Sequence, residues 1–200
     1  MSAQVGAGKV AWRRYAMILA PSLVLAGGVV ALTGQGALAA SFAVSGDSFK
    51  LSADTLDGTG FTSYSSVDSS ANGANHPVTP SGFKTAELGN ICQSVVSDTP
   101  FGKVMMKLTA GAKAPVKATN LVADFDQLSG DIVFTDYQSG IDASTMEGAA
   151  KGPVGGWGQQ AAKIHIDNLK QRTWSTTAGS FALQGLSIDV SFVKDGSKEC

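Results

Sequence analysis

From residue 42 onward, apolar and polar residues alternate in short runs. Phe42 and Val44 alternate with small or polar neighbours, and Phe49, Leu51 and Ala53 repeat the pattern. Val104, Met106 and Leu108 form a further set, followed by Leu121, Ala123 and Phe125, then Ile132 and Phe134. Ile164 and Ile166, Phe181 and Leu183, and Ile188, Val190 and Phe192 complete the series. Successive strand side chains project to opposite faces, so a period of two marks strands with one buried face. Glycine beside small or polar residues punctuates the runs at Asp57-Gly58, Ala110-Gly111, Ser129-Gly130, Ser139-Gly140 and Ala178-Gly179, which predicts turns there. No long stretch repeats at the helical period; a short helix fits only at 86–95 and 143–146. The expectation is one mostly β domain of antiparallel or mixed sheet, of the β-sandwich, jelly-roll or folded-sheet type.

Two stretches break the rhythm. Residues 62–82 are too polar for a core element and read as a long loop. Residues 148–160 are rich in Gly and Ala, with Trp157 between Gly156 and Gly158. Function concentrates on long loops held by a rigid scaffold, which makes Trp157 a candidate ligand contact; the competing reading folds its indole back onto the core.

The first forty residues follow a different pattern. Lys9, Arg13 and Arg14 precede an apolar run at 15–32, and Ala37-Leu38-Ala39 supplies the small residues that a signal peptidase reads. Export follows, with cleavage between Ala39 and Ala40. The run is longer than a usual removable signal and slightly shorter than the roughly 20 residues of a spanning helix, so an N-terminal apolar helix kept as a membrane anchor is the alternative. The chain divides into a leader or anchor at 1–39 and an exported domain at 40–200. Either outcome leaves the domain secreted or held at the outer face of the cytoplasmic membrane.

Charge and cysteine content narrow the partners. Residues 40–200 carry twelve Lys and Arg against sixteen Asp and Glu, a net charge of −4. That balance excludes an electrostatic nucleic-acid binder and any polybasic attraction to anionic lipid. Cys92 and Cys200 both lie in the exported part; an even count in an oxidising compartment reads as a disulfide, with free thiols or intermolecular pairing as alternatives. Two cysteines so far apart do not make a zinc site.

Candidate chemistry is sparse. Gly46-Asp47-Ser48-Phe49 invites comparison with the Gly-Asp-Ser-Leu hydrolases, whose serine is the nucleophile. Those enzymes place an aspartate three residues before the histidine, where this chain has Gly73 before His76 and Ala162 before His165. Nucleophilic catalysis by Ser48 with His165 is therefore a weak alternative, and no Gly-x-Ser-x-Gly elbow supports it. Asp124 and Asp126, two apart on a strand, share a face and are weak candidates for calcium or for acid and base work; the solvated face of a sheet is the plainer reading. No cofactor motif is present, and no phosphate-cradling glycine loop follows a strand.

Several segments together resemble a family of uncharacterised actinobacterial exported proteins. They are Gly36-Ala37-Leu38-Ala39-Ala40-Ser41-Phe42, Ser48-Phe49-Lys50-Leu51-Ser52-Ala53-Asp54, Ile91-Cys92-Gln93-Ser94-Val95-Val96, Lys107-Leu108-Thr109-Ala110-Gly111 and Ser175-Thr176-Thr177-Ala178-Gly179. Some members bear the label cholesterol esterase, but the resemblance implies no catalytic motif for these residues. Residues 51–58 and 122–130 are also similar in rhythm to the folded-sheet and jelly-roll domains that carry lipid across bacterial envelopes. The expectation is a non-enzymatic envelope protein, structural or binding an apolar ligand, with a lipid-ester hydrolase as the alternative. The partners expected are a lipid or a membrane-embedded protein, and the oligomeric state is left open.

Overall fold

A computed structural model of the chain describes residues 44–194 and 198–200. The expected leader, its cleavage point at Ala39 and Ala40, and Phe42 lie outside the described residues. Ten strands account for most of what is described: β1 (Phe49–Tyr64), β2 (Ser66–Ser69), β3 (Asn75–Gly89), β4 (Ile91–Thr99), β5 (Gly102–Ala110), β6 (Val116–Thr135), β7 (Gln138–Asp142), β8 (Trp157–Thr177), β9 (Ser180–Ala182) and β10 (Ser187–Val193). All the strand pairings are antiparallel.

Four long strands close a ring. β1 pairs with β3 on one side and with β8 on the other, β3 pairs with β6, and β6 pairs with β8. Closure removes the exposed edges that an open sheet would leave on these strands. β4 continues β3 in the same register along β1, with Thr55 opposite Gly89 and Ser52 opposite Cys92; Asn90, at φ 49, marks the joint. Beyond that joint, β4, β5 and β10 leave the ring as a three-stranded wing.

The core fills the ring, with Leu56, Phe61, Phe83, Leu121, Ile164, Ile166 and Leu169 all buried. Phe61 packs between Phe83 and Phe134, at ring-centroid separations of 5.6 and 5.5 Å. Strict alternation does not survive along these strands. The inward residues of β1 are Leu51, then Leu56, then Phe61 and Ser63; on β8 they are Gln171 and Leu169, then Ile166 and Ile164, then Gln159. Left-handed residues accompany these changes of phase, Gly60 (φ 60) on β1 and Asn168 (φ 55) on β8. β6 changes phase with register shifts around Phe125 and Ser129. Such irregularities bend a strand and increase its twist, which lets long strands curl round a core with their apolar side inward.

The structure corrects several sequence expectations. Asp57-Gly58, Ser129-Gly130 and Ser139-Gly140 are not turns but lie inside β1, β6 and β7. Residues 86–95 form the end of β3 and most of β4 rather than a helix, because Ala86, Leu88 and Ile91 all pack in the core while Glu87 pairs outward with Lys117. The stretch 62–82 is not one loop: it holds the end of β1, all of β2 and the start of β3. Several of its polar side chains pair with one another, as where the Ser81 hydroxyl donates to Ser63 Oγ at 2.9 Å with both buried. The helix fit at 143–146 reduces to a 3-10 turn at Ala143–Thr145, capped by Asp142, whose carboxylate accepts from the Ser144 N–H at 2.9 Å.

The Gly-rich stretch after that turn is a packed strap. Ala143, Met146 and Ala150 are buried, and the Ala150 N–H donates to Thr62 Oγ1 at 3.2 Å. A Cβ on Gly82 would stand 2.3 Å from the Ala150 nitrogen. Glycine at 82 is thus required by the close approach of the strap's backbone to β3.

Candidate functional site

An apolar cavity of about 210 Å³ lies within the ring. β1 contributes Leu51, Leu56 and Phe61; β3 contributes Phe83 and Leu88; β6 contributes Leu121, Ala123, Phe125, Leu128, Ile132 and Phe134; β8 contributes Ile164, Ile166 and Leu169. Ile132 and Phe181 are the apolar lining residues that also show substantial surface exposure, so they mark the mouth. Protein interiors are packed with few voids larger than a water molecule, and an apolar void of 150 Å³ can stay dry and accept benzene. By that ratio this cavity takes about eight carbon atoms.

The polar lining is gathered rather than scattered. Ser63 stands opposite both Ser81 on β3 and Gln159 on β8, Ser81 stands opposite Ala123, and Ala123 stands opposite Thr176. These residues form one belt of cross-strand neighbours, running from Gln159 near the start of β8 through Ala123 to Thr176 at its end. The belt could hold the polar end of a ligand whose hydrocarbon occupies the apolar remainder, the usual division of labour in small-molecule sites. Gln171 is a separate polar point beside Leu51 and Leu128. The alternating sets at 121–125, 132–134 and 164–166 already signalled the apolar wall. Ser63 and Ser81 were missed because their surroundings are polar, and only their cross-strand pairing turns them inward.

The residues singled out from sequence lie elsewhere. Ser48 adjoins Phe49, which pairs with Thr173, while His165 pairs with Asp57 nine residues further along the same strands, about 30 Å at the usual rise per residue. Serine and imidazole are not brought together. His165 sits on the outer face with Nδ1 2.7 Å from Asp57 Oδ1 and Nε2 3.2 Å from Asp167 Oδ2. Trp157 opens β8 opposite Asp142, half exposed, and is not part of the cavity wall.

Asp124 and Asp126 both reach toward the 172–175 stretch of β8. Asp126 accepts from Arg172 through Nε at 2.8 Å and Nη2 at 2.7 Å, and from Trp174 Nε1 at 3.1 Å. The Arg172 hydrogen bonds hold its carboxyl below the usual range. Asp124 accepts from the Ser175 hydroxyl, yet burial pushes its carboxyl up. Asp68 is also raised, first by burial and then by the charge of Asp124. His76 stacks on Trp174 at 3.6 Å and shares a 2.6 Å hydrogen bond with Ser70 Oγ. This outer cluster binds β2, β3, β6 and β8 to one another. Among the described residues no group of three or more His, Cys, Asp or Glu is arranged to hold a metal ion.

The two carboxylates beside His165 have a measurable consequence. The Asp57 hydrogen bond, with a smaller contribution from Asp167, raises the imidazole above its ordinary 6.5. Stabilisation from the protonated ring is present below the unfolded value and is lost as pH rises through the folded one. Exposure on the surface keeps that contribution small. Asp57→Asn is expected to move the His165 titration, followed by the imidazole C–H resonances, to lower pH. An unchanged midpoint would mean that the contact is not formed in solution.

Cys92 and Cys200 are joined, with Cα atoms 5.7 Å apart, across a sequence separation of 108. The last residues lie along one face of the wing: the Cys200 N–H donates to Ser94 Oγ at 2.9 Å, Lys107 Nζ donates to the Lys198 carbonyl at 3.4 Å, and Glu199 pairs with Lys50. No curated protein and no solved structure matches the chain. The model of a family of unknown function, DUF6230, matches residues 45–200, and the chain belongs to that family.

Proposed function

We propose that this domain is an exported, non-enzymatic binder of a small apolar ligand, such as the end of one acyl chain. The observation that carries the reading is the apolar cavity within the ring, with a polar belt on its wall. Burying hydrocarbon there yields about 0.8 kcal/mol per methylene, so about eight carbons supply several kcal/mol without any reacting group. Export to the cell envelope is supported by the basic residues, apolar run and Ala37-Leu38-Ala39 of the leader, and by the disulfide. The segments resembling actinobacterial exported proteins agree with that setting. The cholesterol esterase label is not adopted, because 210 Å³ falls well short of enclosing a sterol and Ser48 stands far from His165.

Mass spectrometry of the protein under native conditions, recovered from membranes or medium, tests the reading. The wild-type chain is expected to carry a co-purified apolar molecule. Ala123→Leu adds three methylene-sized groups to the cavity and is expected to lower retention about tenfold while leaving the melting temperature unchanged or higher. Equal retention by the two proteins, or none by the wild type, overturns the proposal.

A further inference from the structure

The wing carries an apolar face that, among the described residues, nothing covers. Residues directly opposite one another in a sheet share a face, which places Val95, Met106 and Val190 in one row and Val104 and Phe192 in the next. Ile188, Val190 and Phe192 on the edge strand β10 are 53%, 66% and 71% exposed, and Phe101 at the tip of the β4–β5 hairpin is 87% exposed. The opposite face is mostly polar, with Met105 buried in it, and is the one that the disulfide-tied tail crosses, at Cys92, Ser94 and Lys107. The sheet thus shelters its polar side and leaves its apolar side bare. Contiguous exposed apolar surface of this kind marks an interaction site.

We propose that this face of the wing seats on a lipid bilayer, with Phe101 and Phe192 entering the acyl boundary. Two observations select a bilayer over a second copy of the chain. The described chain begins with Val44 bridged to Ser70 and reaches this wing three residues later: Ser97 Oγ donates to Asp47 Oδ2 at 2.7 Å, and Ser97 is opposite Val104, itself opposite Phe192. In the full chain, with the leader kept as an anchor, only residues 33–43 separate Val44 from the apolar run at 15–32, a length that reaches at most about 40 Å. The second observation is continuity. Leu51 of the cavity wall stands opposite Gln93, which stands opposite Leu108, which stands opposite Ile188. One sheet face therefore runs from the cavity wall to the wing, as a domain that takes an apolar molecule from a membrane would require. The net charge of −4 at 40–200 makes this an apolar contact, indifferent to anionic lipid.

This inference rests on the sheet geometry and holds whether or not the cavity is loaded. The full chain, reconstituted in phosphatidylcholine vesicles, is given a photoreactive benzophenone side chain at position 101, at 192, or at 154 in the strap, where Val154 is as exposed as Phe101. Illumination is expected to give lipid adducts at 101 and 192 about tenfold above those at 154, with the same yield when a fifth of the lipid is made anionic. Adducts equal at all three positions, or cross-links from 192 to a second copy in place of lipid, overturn the proposal. Loss of cavity ligand in Ala123→Leu would leave the adduct pattern unchanged, so the two readings fail separately.

Discussion

Replacing Cys92 and Cys200 together by serine is expected to lower the free energy of unfolding by about 4 to 5 kcal/mol. The bridge spans 108 residues, and in the chain-entropy description a loop of that length restricts the unfolded ensemble by nearly 5 kcal/mol. The native contacts of the tail do not replace it. Among the described residues they are one N–H donated to Ser94, one ion pair to Lys50 and one long hydrogen bond from Lys107, and single contacts of this type contribute about 1 kcal/mol or less each. For a domain of this size the loss corresponds to a fall of roughly 10 to 20 °C in melting temperature. Thermal unfolding with and without reductant checks it. A shift below a few degrees would mean that the wild-type protein does not carry the bridge in solution. The ring should keep its fold when the bridge is cut, because its four ladders do not involve the tail.

Ile166→Ala is expected to cost about 4 kcal/mol, in the upper part of the range for such truncations. Ile166 is 1% exposed, stands opposite Leu56 on β1 and Ile132 on β6, and lines the cavity. Three methylene-sized groups account for about 2.4 kcal/mol of transfer free energy. The remainder comes from the void, which cannot collapse because the surrounding strands are held in a closed ring and already border empty space. Ile166→Val, removing a single group, is expected to cost about 1 kcal/mol. Denaturant unfolding separates the two; equal midpoints would show that the site repacks. The alanine variant also enlarges the cavity, so if the proposed function holds, the retained ligand shifts toward longer hydrocarbon.

The inner wall was legible wherever alternation ran unbroken. Leu121, Ala123 and Phe125, or Ile164 and Ile166, name the inward face of β6 and β8 directly from their spacing. It was not legible where the backbone changes phase. Gly60 and Asn168 adopt left-handed conformations inside strands, so the single strand β1 reads as several fragments, and Asp57-Gly58 reads as a turn. The stretch 62–82 misled for a different reason: composition measures how polar a segment is, whereas pairing decides whether its hydroxyls meet water or each other. Ser63 and Ser81 are buried because each is the other's partner.

Local chemistry, written along the chain, determined the β class, the apolar period of two and the availability of two cysteines for one bridge. These depend on residue type and on spacing within a few positions. Closure of β1, β3, β6 and β8 into a ring, the cavity inside it, the distance between Ser48 and His165, and the bare apolar face of the wing depend on which strands pair and in what register. Pairing joins residues as far apart in sequence as Phe49 and Thr173. Its register is set by the sum of all four ladders and by the irregularities that bend them, a cooperative quantity that no single segment carries.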